Sequence, residues 1–342
     1  MINIKLIKLG FTSKYSDKSI EKLFLEGENF LNNYICDSPT EVCHYFPTNK
    51  IKNILGEHKL LFSDVEFLND LQEESNIFLI LKELLEGPSM KEIHPKLISC
   101  LSRYDELRTL VDNEIVYSNP LSLEQDDHDK FIYNSRRYIF CASKDTDCLA
   151  MWKYYSKGDR YDALNIVFSP NDLINCIVSD LKEIHNGLRI VHGSVIYDDN
   201  IKKEILVHLI DEINRIYINY LYDNDRNSEI QHEIVNHFFY LLKDYSAFFK
   251  NESYKHEQEY RFVLEFDNTN IKKYNLEYDF RHVGAYQMPY MKIGFEKDIV
   301  KMLVINPNDS KDQLAIKSNR AFLDYYGYNK TDLGISTIPL RY

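Results

Sequence analysis

Residues 255–266 read Lys-His-Glu-Gln-Glu-Tyr-Arg-Phe-Val-Leu-Glu-Phe. From Tyr260 onward, aromatic or aliphatic residues alternate with charged ones and then form an apolar run. This pattern predicts a β-strand with one solvent-exposed end. A strand would place the carboxylates of Glu257 and Glu259 on one face, which Arg261 continues. Neighbouring carboxylates oppose each other's ionisation unless a cation or a hydroxyl-rich ligand lies between them. The stretch therefore predicts either a ligand site or a structural pair in which Arg261 neutralises Glu259.

The composition is typical of a packed globular protein. Of 342 residues, 44% are hydrophobic, with 26 Tyr and 19 Phe but only 11 Gly and 9 Pro, so we expect few linkers. The net charge of −12 disfavours sequence-independent attraction to nucleic acids or to anionic membranes. We therefore expect one globular domain with a sizeable core.

The cysteines and the N-terminal residues indicate the cellular compartment. The six cysteines are Cys36, Cys43, Cys100, Cys141, Cys148 and Cys176. They do not form the close pairs that zinc sites and redox motifs use, so we interpret them as reduced thiols. Residues 1–10 alternate polar and apolar side chains, unlike a signal peptide, and no apolar run approaches the ~20 residues of a membrane span. We expect a cytoplasmic protein without a membrane partner.

Hydrophobic periodicity predicts an alternation of strands and helices along the chain. The predicted strands cover residues 1–10, 41–46, 59–63, 137–143, 163–168, 188–197, 260–266, 271–280, 299–305 and 335–339. The predicted helices cover residues 17–35, 47–56, 76–116 with breaks at 87–88 and 95, 148–155, and 200–250 as a hairpin. A last helix is predicted with Asp309 or Ser310 as its cap, Gln313 completing a capping box and Gly327 just past its end.

These elements predict one α+β domain over residues 1–342, built on a mixed or antiparallel sheet. Residues 1–40 form an N-terminal extension, and residues 41–342 form the core. Helical insertions are expected at about 71–116 and 200–250, the second as a helical hairpin. No internal repeat or low-complexity tract divides the chain.

Several potential sites are weak on spacing alone. His232 and His237 resemble a metalloprotease pair, but five residues on a helix rotate them by roughly 140°, so we expect no metal there. Phosphate loops and dinucleotide glycine fingerprints are absent. Trp152 with Tyr154 and Tyr155 could form a stacking platform, although aromatics on a short helix are more often core. His44, on an apolar strand, is by itself more typical of a hydrogen-bonded core histidine.

The order of the short motifs along the chain is more specific than any single motif. These motifs are His44-Tyr45-Phe46-Pro47-Thr48, Phe67-Leu68-Asn69-Asp70 with Glu73, Phe140-Cys141-Ala142-Ser143 with Met151, Trp152 and Tyr155, Glu257-x-Glu259-Tyr260-Arg261, and Ser336-x-Ile338-Pro339-x-Arg341. Over residues 41–342 the set resembles the bacterial family catalogued as domain of unknown function 2971. Two residues depart from it: that family usually has an aromatic residue at the position of Ala142 and a Trp at the position of Tyr254.

The motif order also looks like that of ADP-ribosyltransferases, an analogy that implies NAD as substrate and an ADP-ribosyltransferase-like sheet. The analogy implies that His44, with its neighbour Tyr45, holds a ribose, that Ser143 supports the site, and that Tyr155 or Trp152 stacks on nicotinamide. Glu259 would bond the ribose 2′-hydroxyl, and Glu257 would act as a base towards the acceptor or orient it. The candidate cations for the pyrophosphate are Arg261, Arg281, Arg136 and Arg137.

Three functions follow as hypotheses. The first is an NAD-consuming ADP-ribosyltransferase or NAD glycohydrolase, a toxin-like effector of bacterial anti-phage defence, with no metal and with an unknown protein or nucleic acid as acceptor. The second is a non-catalytic binding or regulatory module of a defence system, with a regulatory partner protein, in which Glu257, Glu259 and Arg261 form a structural network. The third is a metal-dependent nuclease or nucleotide-processing enzyme that uses Asp70, Glu73 and the glutamate pair around magnesium.

Overall fold

A computed structural model of the chain describes residues 7–9, 39–67, 73–87, 90–102, 135–156, 162–184, 188–223, 238, 242, 244–267 and 269–339. The strands are β1 (Ile7–Leu9), β2 (Val42–Pro47), β3 (Lys59–Asp64), β4 (Ser135–Ser143), β5 (Ala163–Phe168), β6 (Leu188–Ser194), β7 (Glu259–Asp267), β8 (Tyr278–Val283), β9 (Tyr286–Gly294), β10 (Val300–Ile305) and β11 (Asp332–Ile335). The α-helices are α1 (Glu73–Leu85), α2 (Pro95–Leu101), α3 (Leu149–Tyr155), α4 (Pro170–Asp180), α5 (Asp199–Asp223), α6 (Thr269–Lys273) and α7 (Gln313–Tyr326). Short 3-10 helices cover Thr48–Lys50, Val65–Phe67, Glu252–Glu257 and Lys297–Ile299, and Lys52–Gly56 is a π-helix.

The strands form one sheet that divides at β4. Its main order is β1-β6-β7-β4-β2-β5-β10-β11, and every neighbouring pair is antiparallel except β10 and β11. The end of β4 pairs with β2 through Ser143 and Cys43, whereas its middle pairs with β3 through Ile139 and Ser63. A second branch, β3-β9-β8, therefore leaves the sheet at this point. The predicted α+β class with a mixed, mostly antiparallel sheet is confirmed.

Helices cover both faces of the sheet. Side chains of β7 alternate between two cores, with Tyr260, Phe262 and Leu264 in one and Val263 in the other. The first core also receives α4 and α7, and the second receives α1, α2 and α5. The face that carries Val263 also carries the polar side chains of β7, so charged groups lie beside the helical insertions. No helix in the described part of the chain is long and apolar enough to cross a bilayer.

Most predicted elements of the core are present, and the exceptions have identifiable causes. Residues 269–273 are helical, not extended, because Ile271 and Tyr274 lie three apart and pack on one core from a helical turn. The sequence analysis missed β9, which forms a hairpin with β8 through Gly284 at φ 56° and contains Pro289.

The predicted bounds are wrong at several other elements. Residues 48–56 form 3-10 and π turns in place of one α-helix, β6 ends at Ser194, and the last strand covers Asp332–Ile335. Asp312 caps α7, because its side chain accepts a hydrogen bond from the Leu314 amide, whereas Gly327 ends this helix as predicted. The predicted helix at 17–35 and most of the second half of the hairpin lie outside the described residues.

Candidate functional site

Three adjacent strands carry the residues that the sequence singled out. Ser143 ends β4, where it pairs with Cys43 of β2 on one side and Glu259 of β7 on the other. His44 directly follows Cys43. The structure therefore brings His44, Ser143 and Glu259 to the same end of the sheet, at the point where the two branches separate.

The two glutamates reach this end by a route that the sequence analysis did not predict. Glu257 is the last residue of a 3-10 helix, and β7 begins only at Glu259, so the prediction that a strand aligns both carboxylates is wrong. Gln258 between them has a left-handed backbone, with φ 44°, which turns the chain. The side chains nevertheless converge, because Lys250 Nζ donates to Glu257 Oε2 at 2.7 Å and to Glu259 Oε1 at 2.9 Å.

Arg261 neutralises Glu259, as one sequence interpretation predicted. Its Nε donates to Glu259 Oε2 at 2.6 Å, and its Nη1 donates to the Ala247 carbonyl at 2.8 Å. The Arg261 side chain is 1% exposed. This burial argues against the implied role of Arg261 as a direct ligand of a pyrophosphate, because a group that must meet solvent phosphate needs an accessible guanidinium.

The environment drives the two carboxyl groups to different protonation states. Burial and the neighbouring carboxylate of Glu259 raise the pKa of Glu257 to about 7. Burial alone would also raise the pKa of Glu259, but Arg261 and Lys250 outweigh it and hold this pKa at about 2. Near neutral pH, Glu259 is a fixed negative charge and Glu257 exchanges its proton.

His44 lies where the sheet divides. Its Nδ1 is 3.3 Å from the Cys141 carbonyl oxygen, an arrangement that fits an Nδ1–H donor, and its ring is 4.7 Å from the Phe140 ring. The half-buried Tyr155 ring lies 6.3 Å from the imidazole. Burial lowers the pKa of His44 to about 4, so the imidazole is neutral at neutral pH and can hold a ligand by hydrogen bonding but carries no charge.

Tyr45 and Trp152 are buried, which argues against the cofactor contacts that the resemblance implied for them. They are 1% and 0% exposed, and their rings meet edge to face at 4.7 Å. The Tyr45 hydroxyl donates to the Asp145 carbonyl at 2.8 Å, and the Trp152 indole donates to Asp147 Oδ1 at 2.9 Å. Tyr155 packs on the cluster that contains Tyr45 and Trp152, and of these three rings it is the one that is accessible to a ligand beside His44.

Ser143 supports the site through the backbone. Its hydroxyl donates to the Glu257 carbonyl at 2.8 Å and accepts from the Asp145 amide at 3.2 Å, and the side chain is buried. The next amide, Lys144 N, donates to the Gln258 carbonyl at 2.9 Å. These bonds tie the turn that carries Glu257 to the end of β4.

The structure also adds two functional candidates that the sequence analysis missed. Lys250 precedes the glutamate motif in an irregular segment, so no periodicity pointed to it. Asp147 accepts hydrogen bonds from Trp152, Ser336 and Thr337 and thereby binds the closing Ser336 motif to the loop before α3. The closing motif is thus part of the frame around Tyr155.

Other predicted residues lie apart from this cluster or outside the described residues. Arg281 is on β8, where its Nη2 donates to Ser63 Oγ at 3.2 Å, and Arg136 Nη1 lies 3.9 Å from Asp64. Arg137 is 7% exposed. Asp70, His232 and His237 lie outside the described residues, as does the side chain of Glu73. Among the described residues, no group of three or more His, Cys, Asp or Glu side chains is arranged to hold a metal ion. A shallow pocket beside Cys176 shares no residue with the cluster.

Part of the chain matches a known protein family. The model of the family described as "Protein of unknown function (DUF2971)" matches residues 151–262. This segment is similar to that family, which supports the resemblance stated above. It runs from α3 to the middle of β7 and includes Trp152, Tyr155, Lys250 and both glutamates. Neither curated proteins nor solved structures give a match to the chain.

Proposed function

We propose that this protein is an NAD-consuming ADP-ribosyltransferase whose site lies around Glu259. The observation that carries the proposal is the pair of glutamates that share the Lys250 ammonium and have opposite pKa shifts, in a cluster with His44 and the half-buried Tyr155. Perturbed carboxyl groups of this kind concentrate at functional sites. The adjacency of the strands that carry His44, Ser143 and Glu259 supports the same function.

The chemistry would divide between the two glutamates. Breaking the bond between the ribose anomeric carbon and nicotinamide sends the bonding electrons to the nicotinamide nitrogen and leaves an oxocarbenium-like centre. The ionised Glu259 stabilises that developing positive charge and bonds the ribose 2′-hydroxyl. The acceptor then bonds to the anomeric carbon and loses its proton to Glu257, whose pKa of about 7 suits a base at neutral pH.

Accessible side chains would make the remaining contacts with NAD. His44, neutral and half-buried, would hold a ribose hydroxyl, and Tyr155 would stack against nicotinamide. The acceptor is a protein or a nucleic acid, and transfer to water would make the protein an NAD glycohydrolase. A toxin-like role in bacterial defence belongs to the same proposal.

A specific observation also favours a second function, a non-catalytic binding or regulatory module. Both carboxylate oxygens of Glu259 are already engaged, one by Lys250 and the other by Arg261. Such a network stabilises a sheet end without performing chemistry. In that case Glu259 organises a surface for a regulatory partner protein, and NAD is not consumed.

Nicotinamide release from NAD by purified wild type and Glu259→Gln separates these functions. Glu259→Gln should lower the melting temperature under either function, because Arg261 loses a partner, so rates must be expressed per folded molecule. We expect release by the wild type and a loss of about 10²–10³-fold in the variant, the size typical of removing one charge-stabilising group. Equal rates in both proteins would contradict the assignment of Glu259.

Two additions complete this experiment. Magnesium should leave the rate unchanged, whereas a requirement for magnesium would favour the metal-dependent enzyme. Release by neither protein, with protein and nucleic-acid acceptors supplied, would favour the binding module.

A further inference from the structure

Lys250 is built into the site more firmly than an ordinary surface lysine. Its amide donates to the Ile196 carbonyl at 3.1 Å, which attaches the segment to the end of β6. Its own carbonyl accepts from the fully buried Lys202 Nζ at 2.8 Å. These two hydrogen bonds to its backbone fix the position of Lys250 independently of its side-chain contacts.

The ammonium group of Lys250 is also enclosed. The side chain is 8% exposed, and Nζ lies 4.7 Å from the centre of the Tyr254 ring while it donates to both glutamates. Burying an ammonium is costly unless charged partners surround it. Two carboxylates and an aromatic face meet that requirement here.

The cations of this cluster are shared unequally between the two carboxyl groups. Glu259 receives a cation at each oxygen, from Lys250 and Arg261, whereas the Glu257 contact with Lys250 is through Oε2. Lys250 Nζ contacts both carboxyl groups, so the two lie close together, oppose each other's ionisation and can retain one proton between them. The asymmetry of the cations determines which carboxyl group keeps that proton.

We propose that Lys250 is a positioning residue of this site, whose ammonium holds Glu259 as the fixed negative charge and Glu257 as the group that exchanges a proton with the acceptor. This inference rests on the proposed function, since it assigns roles within that reaction. Further titratable groups near the ammonium and the carboxyl pair, among the described residues, are Arg261 of β7, Tyr155 of α3, Tyr197 after β6, Lys202 of α5 and Tyr254. Burial raises the pKa values of Tyr155 and Tyr197, so these two stay neutral near pH 7.

The test is the pH profile of nicotinamide release in the presence of an acceptor, for wild type, Lys250→Met and Lys250→Arg. Methionine keeps the length of the side chain and removes its charge, so Glu257 loses the cation that favours its ionised form. The acidic limb of the profile should move to higher pH by about 1–3 units, the effect of an opposite charge at this distance. Lys250→Arg should stay near the wild-type profile, because it keeps the charge.

A second readout does not depend on turnover. The Glu257 carboxyl carbon signal in NMR spectra, recognised by its loss in Glu257→Gln, should titrate at higher pH in Lys250→Met than in wild type. An unshifted profile in a Lys250→Met protein that still releases nicotinamide would overturn the role of Lys250 and leave the proposed function standing. Absence of release by the wild type would overturn the proposed function and the catalytic roles, even if the NMR titration moved.

Discussion

The two ends of β7 carry similar ion clusters on the same face of the sheet. At one end, Glu265 accepts from Arg189 Nη1 at 3.0 Å, and Arg189 also pairs with Asp244. At the other end, Glu259 is paired with Lys250 and Arg261. The side chain of Glu265 is 2% exposed and that of Glu259 is 11% exposed.

The two clusters differ in the accessibility of their carboxyl groups. Glu265 is opposite Arg137 on β4 and Arg189 on β6, so the strand register itself supplies cations on both sides. At the Glu259 end a second carboxyl group, Glu257, joins the cluster with 16% exposure and a pKa raised to about 7 by burial and by its neighbour. A fully buried ion cluster has a structural role, whereas a more accessible carboxyl group with a raised pKa can also exchange protons with a ligand.

The largest expected effect on protein stability comes from a substitution at the buried Glu265 end of β7. Glu265→Gln leaves the guanidinium of Arg189 with less neutralising charge in the core, so the free energy of unfolding should fall by about 3 kcal/mol. Urea unfolding of the wild type and the variant measures this change. A loss below about 1 kcal/mol would contradict the structural role of the Glu265 cluster, because exposed pairs contribute that little.

Asp147 extends the comparison to a carboxylate that is held by hydrogen bonds from uncharged groups. Asp147 accepts from the indole of Trp152, the one tryptophan of the chain, and from Ser336 and Thr337. Asp147→Ala leaves the buried indole N–H without its acceptor, so the free energy of unfolding should fall by about 1–3 kcal/mol and the Trp152 emission should shift to the red.

Asp312→Ala is the matched control for this variant. It removes the N-cap of α7, at a cost of about 1 kcal/mol, without altering the acceptor of Trp152. Its emission maximum should equal that of the wild type. An unchanged emission maximum in Asp147→Ala would show that Asp147 does not hold Trp152 in place.

The last expected effect is the pH dependence contributed by Glu257. An unfolded glutamate ionises near pH ~4.3, but Glu257 in the folded protein keeps its proton up to about pH 7. Between these values the folded state binds more protons, so this group makes the wild type less stable as pH rises. Glu257→Gln cannot ionise, and its stability relative to wild type should therefore increase from pH 5 to pH 8. A pH-independent difference in unfolding free energy between the two proteins would contradict the raised pKa.

The sequence predicted regular elements better than it predicted the site. Alternation in β7 identified the strand and the pairing of Arg261 with Glu259, because both depend on local periodicity. The convergence of Glu257 and Glu259 depends instead on the left-handed backbone of Gln258 and on Lys250. Neither feature leaves a periodic signal.

The sequence also did not predict which aromatic side chains are accessible. Trp152 and Tyr155 lie on the same short helix, and nothing local distinguishes the buried ring from the half-buried one. Their difference arises from Tyr45 and Asp147, which enclose Trp152 from other parts of the chain. Contacts between distant segments decide such roles, and a single sequence does not specify them.

The most direct test of the functional difference between the two ends of β7 compares Glu259→Gln with Glu265→Gln in nicotinamide release from NAD. The two variants make the same chemical change on the same strand and face. Per folded molecule, we expect Glu265→Gln to retain the wild-type rate and Glu259→Gln to lose about 10²–10³-fold. Equal losses in both variants, or a loss confined to Glu265→Gln, would contradict the placement of the site at the Glu259 end.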